Sequence, residues 1–129
     1  MHEPIPQDVE VLSKQVVNCA LKVHRNLGPG LLESVYEKCL AYELKKLGVA
    51  VEDQVFLPVN YDGYELDAGL KLDLWIERCL IVEVKTVENL HPVHQAQLLT
   101  YLKLTGNRLG LLINFNTTLL KHGIKRIVL

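Results

Sequence analysis

At 129 residues, with 49 % hydrophobic and 22 % charged residues, the chain has the length and make-up expected of one soluble globular domain with its own core. A net charge of −1 excludes a global electrostatic pull toward nucleic acid, so binding of that kind would need a local patch. Cys19, Cys39 and Cys79 are far apart and form no C-x-x-C pair, which argues against a zinc or iron–sulfur site and fits reduced thiols in a cytoplasm; no signal peptide or membrane-spanning apolar run is expected.

The first element is read as an amphipathic helix from about Asp8 to Leu27. Val9, Leu12, Val16, Cys19, Ala20, Val23 and Leu27 recur at three- and four-residue steps, with Asp8 as its N-cap. Gly28 and Pro29 stop it. A second helix follows at about Leu31–Leu47, with Leu32, Val35, Tyr36, Cys39, Leu40 and Leu44 on its apolar stripe and Gly48 at its end. Glu33 falls in its first turn, where the helix dipole favours a carboxylate.

From Val49 the period changes to two. Val49, Val51, Val55, Leu57, Val59 and Tyr61 alternate with polar residues, and Asp62-Gly63 marks a hairpin turn. In the next strand, about Tyr64–Ile76, strict alternation puts Leu66, Ala68, Leu70, Leu72 and Leu74 on one face and Glu65, Asp67, Lys71 and Asp73 on the other. A third strand spans Leu80–Thr86, and Pro92 opens a helix that reaches Lys103 or Leu104 and is capped by Gly106. Leu109–Phe115 and Ile124–Leu129 are read as the last two strands.

Chemistry concentrates between Leu72 and Tyr101. In a strand, i and i+2 share a face, so Glu83 and Lys85 project together from an apolar run, at a cost unless they bind something. A tight connection at Glu77-Arg78-Cys79 would bring Asp73 and Glu83 onto neighbouring strands, where two carboxylates could share a hard cation. The competing reading is a cross-strand ion pair of Lys85 with one of the acids. On the following helix His94, Gln97 and Tyr101 fall at i, i+3 and i+7, apart from a stripe of Val93, Ala96, Leu99 and Leu102. They either overlook the acidic edge of the sheet or form a solvated helix face, and His94 fits both readings.

Gly30-Leu31-Leu32-Glu33-Ser34-Val35-Tyr36 reads G-x-x-E-x-x-Y. Together with Asp73, Glu83-Val84-Lys85, Gln97 to Tyr101 and the C-terminal GNRLGLLINFN and KRIVL segments, the chain resembles the GxxExxY proteins. These are a small group within the PD-(D/E)XK nuclease superfamily, and the Q-x-x-x-Y helix further resembles RecB-like nuclease domains. Two departures stand out: Leu72 rather than Pro precedes Asp73, and the clustered cysteines of the iron–sulfur RecB-like variant are missing. The resemblance implies a single α/β domain over residues 1–129 with a restriction-endonuclease-like core, a mixed central β-sheet flanked by α-helices.

It also implies a nuclease that hydrolyses phosphodiester bonds in nucleic acid, DNA ahead of RNA, using Mg²⁺ or Mn²⁺. Asp73, Glu83 and the Val84 carbonyl would hold the ion, with Glu33 as an additional acid. Lys85 would act on water or phosphate, and Gln97 and Tyr101 would position nucleic acid or the lysine. For Tyr36 packing is the competing role, and for Glu33 a first-turn charge. The alternative at the level of the whole protein is a catalytically inactive nuclease-fold module for nucleic-acid binding or protein assembly. A homodimer, a cytoplasmic location and no membrane association complete the expectations.

Overall fold

The computed structural model describes residues 3–129. Two helices open the chain, α1 (Gln7–Leu27) and α2 (Glu33–Lys46); β1 (Val51–Tyr61), β2 (Tyr64–Ile76) and β3 (Leu80–Lys85) follow. Then come α3 (Pro92–Thr105), β4 (Leu109–Asn114), a 3₁₀ turn at Leu120–Gly123 and β5 (Ile124–Val128). The strands form one five-stranded sheet in the order β1-β2-β3-β4-β5. Only β3 and β4 run parallel, because α3 carries the chain back across the sheet between them; the other pairs are antiparallel. The result is the mixed, helix-flanked α/β sheet of a restriction-endonuclease-like fold.

Two apolar layers hold the sheet. On one face Val16, Ala20 and Val23 of α1 and Tyr36, Leu40 and Leu44 of α2 pack on Leu74, Ile76, Leu80, Val82 and Val84. On the other, Leu98 and Leu102 of α3 pack on Leu70, Leu72, Trp75, Ile81 and Leu112. The alternation in β3 therefore sends Ile81, and with it Glu83 and Lys85, to the α3 side.

The strict alternation expected along β2 does not hold. Leu72 belongs to the α3 layer and Leu74 to the α1/α2 layer, so the strand changes face across Asp73. Opposite that point on β1, Gln54 has φ +50°, and the β1–β2 pairing resumes on either side of it. Leu66 and Ala68 also leave the shared face: Ala68 has φ +53°, the register slips between Leu57 and Val59, and Leu66 is exposed. A bulge re-aims side chains in this way.

Two local expectations are corrected, and both expected turns are found. Pro6, not Asp8, precedes α1, and Asp8 sits in the first turn, where its charge meets the dipole instead of capping a backbone N–H. In α3 the sheet-facing residues are Leu98 and Leu102, while Val93 and Ala96 are exposed, so the apolar stripe is rotated from the one the spacing suggests. Asp62-Gly63 makes the expected two-residue turn with both φ positive, but Glu77 and Arg78 also take positive φ without any glycine. Tertiary contacts offset that strain: Glu77 bonds the Ala50 amide through its carboxylate, Arg78 lies 4.7 Å from the Trp75 ring, and Asn107 donates to the Arg78 carbonyl.

Candidate active site

The site forms where β2 and β3 part. Their ladder runs Ile76↔Leu80, Trp75↔Ile81, Leu74↔Val82 and then stops. One step further along the same register, Asp73 faces Glu83. The backbone there is bonded by the side chains instead: Asp73 N–H donates to Glu83 Oε2 at 2.9 Å, and Val84 N–H donates to Asp73 Oδ2 at 2.9 Å. Each acid thus closes the fork with one oxygen. The reciprocal clasp fixes both carboxyls at the mouth of the fork, in a region that is almost dry: Asp73 is 9 % and Glu83 4 % exposed.

Burial is the main force on both groups. It raises the Glu83 carboxyl to about 8, with the nearby Asp73 adding to the shift, while the Asp73 N–H and Lys85 pull the other way. Asp73 is raised for the same first reason, opposed by the Val84 N–H and Lys85. Lys85 therefore stands close enough to lower both acids, yet it pairs with neither. The ion pairs of the described residues use Lys22, Lys46, Arg78 and Arg126, which removes the cross-strand ion-pair reading of Lys85.

Glu33 approaches from α2 and accepts a hydrogen bond from the Thr86 amide at 3.3 Å, linking the start of that helix to the residue after Lys85. Glu37, one turn further along α2, was not among the residues picked out from the sequence. It is 7 % exposed, accepts from the Gln54 side chain, and has its carboxyl raised by burial and then by Asp73. A charged residue between Tyr36 and Ala41 on the buried side of an amphipathic helix was the available signal. A cleft of about 290 Å³ leads in from solvent here, lined by Glu33, Glu37, Lys38, Asp53, Gln54 and Lys71, among others.

From the α3 side Tyr101 is half-buried, and its hydroxyl is raised by burial and then by Glu83 and Asp73, so it overlooks the acids. His94 is half-buried in the field of Lys85 and Glu33, and its Nδ1 accepts the His91 N–H at 3.1 Å as part of a capping box. Gln97 lies on the outer flank of α3 and is exposed, so the structure does not draw it into the cluster. Tyr36 is fully buried and braces the rim from below. Its hydroxyl donates to the Gly28 carbonyl at 2.6 Å and accepts from the Leu31 amide at 3.1 Å, and its ring stacks on Phe115 at 4.5 Å. Asn114 holds the exit of β3 by bonding both the N–H and the carbonyl of Val87.

The donors at the fork suit a hard divalent cation: carboxylate oxygens and the Val84 carbonyl, with no thiol or thioether. Two carboxyls forced toward neutrality by a dry setting are what a dication would return to the charged form. Among the described residues no three His, Cys, Asp or Glu side chains are already gathered around one point. Asp73 and Glu83 each turn one oxygen to a backbone N–H and keep the other.

The family model described as the PD-(D/E)XK nuclease superfamily matches residues 10–127. No curated protein and no solved structure matches the chain.

Proposed function

Because the chain belongs to the PD-(D/E)XK nuclease superfamily, we propose that it is a metal-dependent nuclease that hydrolyses phosphodiester bonds in nucleic acid. The observation that carries the reading is the clasp of Asp73 and Glu83 beside an unpaired Lys85. Asp73, Glu83 and the Val84 carbonyl would hold Mg²⁺ or Mn²⁺, with Glu33 and Glu37 adding negative charge from α2. A bound ion of this kind supplies Lewis acidity at a phosphoryl oxygen.

The chain's own groups do the rest. Lys85 places its ammonium beside the charge that grows on the phosphate, in a setting dry enough to strengthen the interaction. Tyr101 and His94 form the α3 wall and orient the substrate or the lysine. Glu33 and Tyr36, the E and Y of G-x-x-E-x-x-Y, tie α2 to the β3 exit and hold the Gly28–Leu31 loop, which supports placing the chain in the GxxExxY group. The Q-x-x-x-Y likeness rests on Tyr101 alone for contact with the site, since Gln97 is exposed.

Among the described residues no helix is long and apolar enough to cross a membrane. The three free thiols support a reducing, cytoplasmic setting. The test is cleavage of a panel of DNA and RNA substrates with Mg²⁺ or Mn²⁺, and with EDTA. Cleavage should need the metal and vanish in Asp73→Asn. Metal-independent binding with no cleavage of any substrate would assign the chain to a binding or assembly module instead.

A further inference from the structure

We infer that the apolar cleft at the start of α2 receives one unpaired nucleobase next to the cleaved phosphate, so that the substrate is a single strand or a frayed end. This inference rests on the nuclease reading above and deepens it. The cleft has a volume of about 630 Å³ and is lined by Gly30, Leu31, Leu32, Glu33, Val35 and Thr86. It adjoins the candidate site, because Glu33 lines both clefts and Thr86, whose amide bonds Glu33, follows Lys85.

The lining selects the occupant. Leu31 and Leu32 are 41 % and 74 % exposed, so two large apolar side chains face solvent at the rim of an acidic site. The cleft contains one carboxylate and no cation, which disfavours a phosphate, an acidic peptide or an anionic headgroup. A neutral planar ring with N–H donors on its edge suits an aliphatic wall beside a carboxylate. The polar cleft on the other side of Glu33 sets Lys38 and Lys71 among three carboxylates, Glu33, Glu37 and Asp53, so it would admit a phosphate backbone through those two ammoniums together with a cation held by the acids. The two clefts meet at Glu33, one suited to the backbone and the other to a base.

The cleft is also preformed. Tyr36 holds the loop through the Gly28 carbonyl and the Leu31 amide, and the Glu33–Thr86 bond fixes the opposite wall. A paired base reaches such a cleft only by leaving its stack and its partner, at a cost in free energy, whereas a single strand presents its bases without that cost. One active site then suffices for the cut.

The test is fluorescence anisotropy on the full chain, with Ca²⁺ in place of Mg²⁺, using labelled DNA and RNA single strands and their blunt duplexes. At least one single strand should bind about tenfold tighter than its duplex. Leu31→Ser with Leu32→Ser should lower single-strand affinity by about tenfold, leaving duplex affinity unchanged and the melting temperature no lower, since a serine at position 32 would cap α2 where leucine cannot. Both side chains are exposed, so the fold does not depend on them; Leu32→Trp should strengthen single-strand binding. Equal binding of single strand and duplex, or an unaffected serine variant, with Mg²⁺-dependent cleavage intact would overturn the cleft assignment alone. No binding and no cleavage of any substrate would overturn it together with the nuclease reading.

Discussion

Glu83→Gln tests whether the fork is an electrostatic liability that a cation relieves. Glu83 is 4 % exposed and its carboxyl is pushed from 4.5 to about 8, first by burial and then by Asp73. A folded-state value above the unfolded one means the native state binds more protons between those limits. The associated stability is complete below about 4.5 and is lost as pH rises through about 8. At ~1.4 kcal/mol per pH unit, the ceiling is on the order of 5 kcal/mol. Asp73 shifts in the same direction and shares the effect. The metal-free protein should therefore melt progressively lower from pH 5 to pH 8.5, by roughly 3–6 °C per kcal/mol for a chain of this size. Glutamine keeps the shape and an acceptor for the Asp73 N–H but cannot ionise, so the variant's pH slope should be much shallower. Saturating Mn²⁺ should raise the wild-type melting temperature at pH 8 far more than at pH 5, and raise that of the variant little at either. Differential scanning fluorimetry across pH, with and without metal, reads all of this. Equal slopes for wild type and variant, or a metal effect independent of pH, would refute the argument.

Lys85→Ala should lose about 10²–10³ in turnover while Mn²⁺ affinity stays level or rises slightly; calorimetry beside a cleavage assay decides, and normal turnover would be fatal to the assigned role. Glu37→Gln should weaken Mn²⁺ binding, whereas unchanged affinity would reduce Glu37 to a brace for Gln54. Tyr36→Phe removes two hydrogen bonds in a fully buried setting and should cost about 1–3 kcal/mol in urea unfolding. A loss below about 0.5 kcal/mol would mean the loop is not held by the hydroxyl.

Long periodic elements were legible because burial on one face writes itself into the spacing of apolar residues. α1, the β2 span and the Pro92 start of α3 follow that rule. The rule fails where the backbone leaves regular geometry. No pattern in LDLWI announces that β2 changes face at Asp73, because both Leu72 and Leu74 are fully buried, only on opposite sides. The stripe of α3 was misplaced for a different reason. Val93 and Leu104 are apolar but exposed, so hydrophobicity is spread around the helix and gives no direction. Within the candidate site the strand acids and Lys85 could be read from alternation plus one tight connection. Glu37 escaped because a glutamate in an apolar stripe reads as a boundary residue until Asp73 is seen to approach it from another element.

The free edges of the sheet carry their own protection against polymerisation. β1 is an eleven-residue edge strand, long enough to template pairing with another chain. Pro58 lies exposed in it, without an N–H to donate, at the place where the register slips between Leu57 and Val59. An incoming strand would meet a missing donor and an altered stagger at the same point. At the opposite edge β5 presents exposed Lys125, whose charge repels a second copy of itself, beside Arg126, which is paired with Glu10 of α1. Pro58→Val should restore the donor and lengthen the uninterrupted edge, and light scattering on slow heating should then rise at a lower temperature than for the wild type.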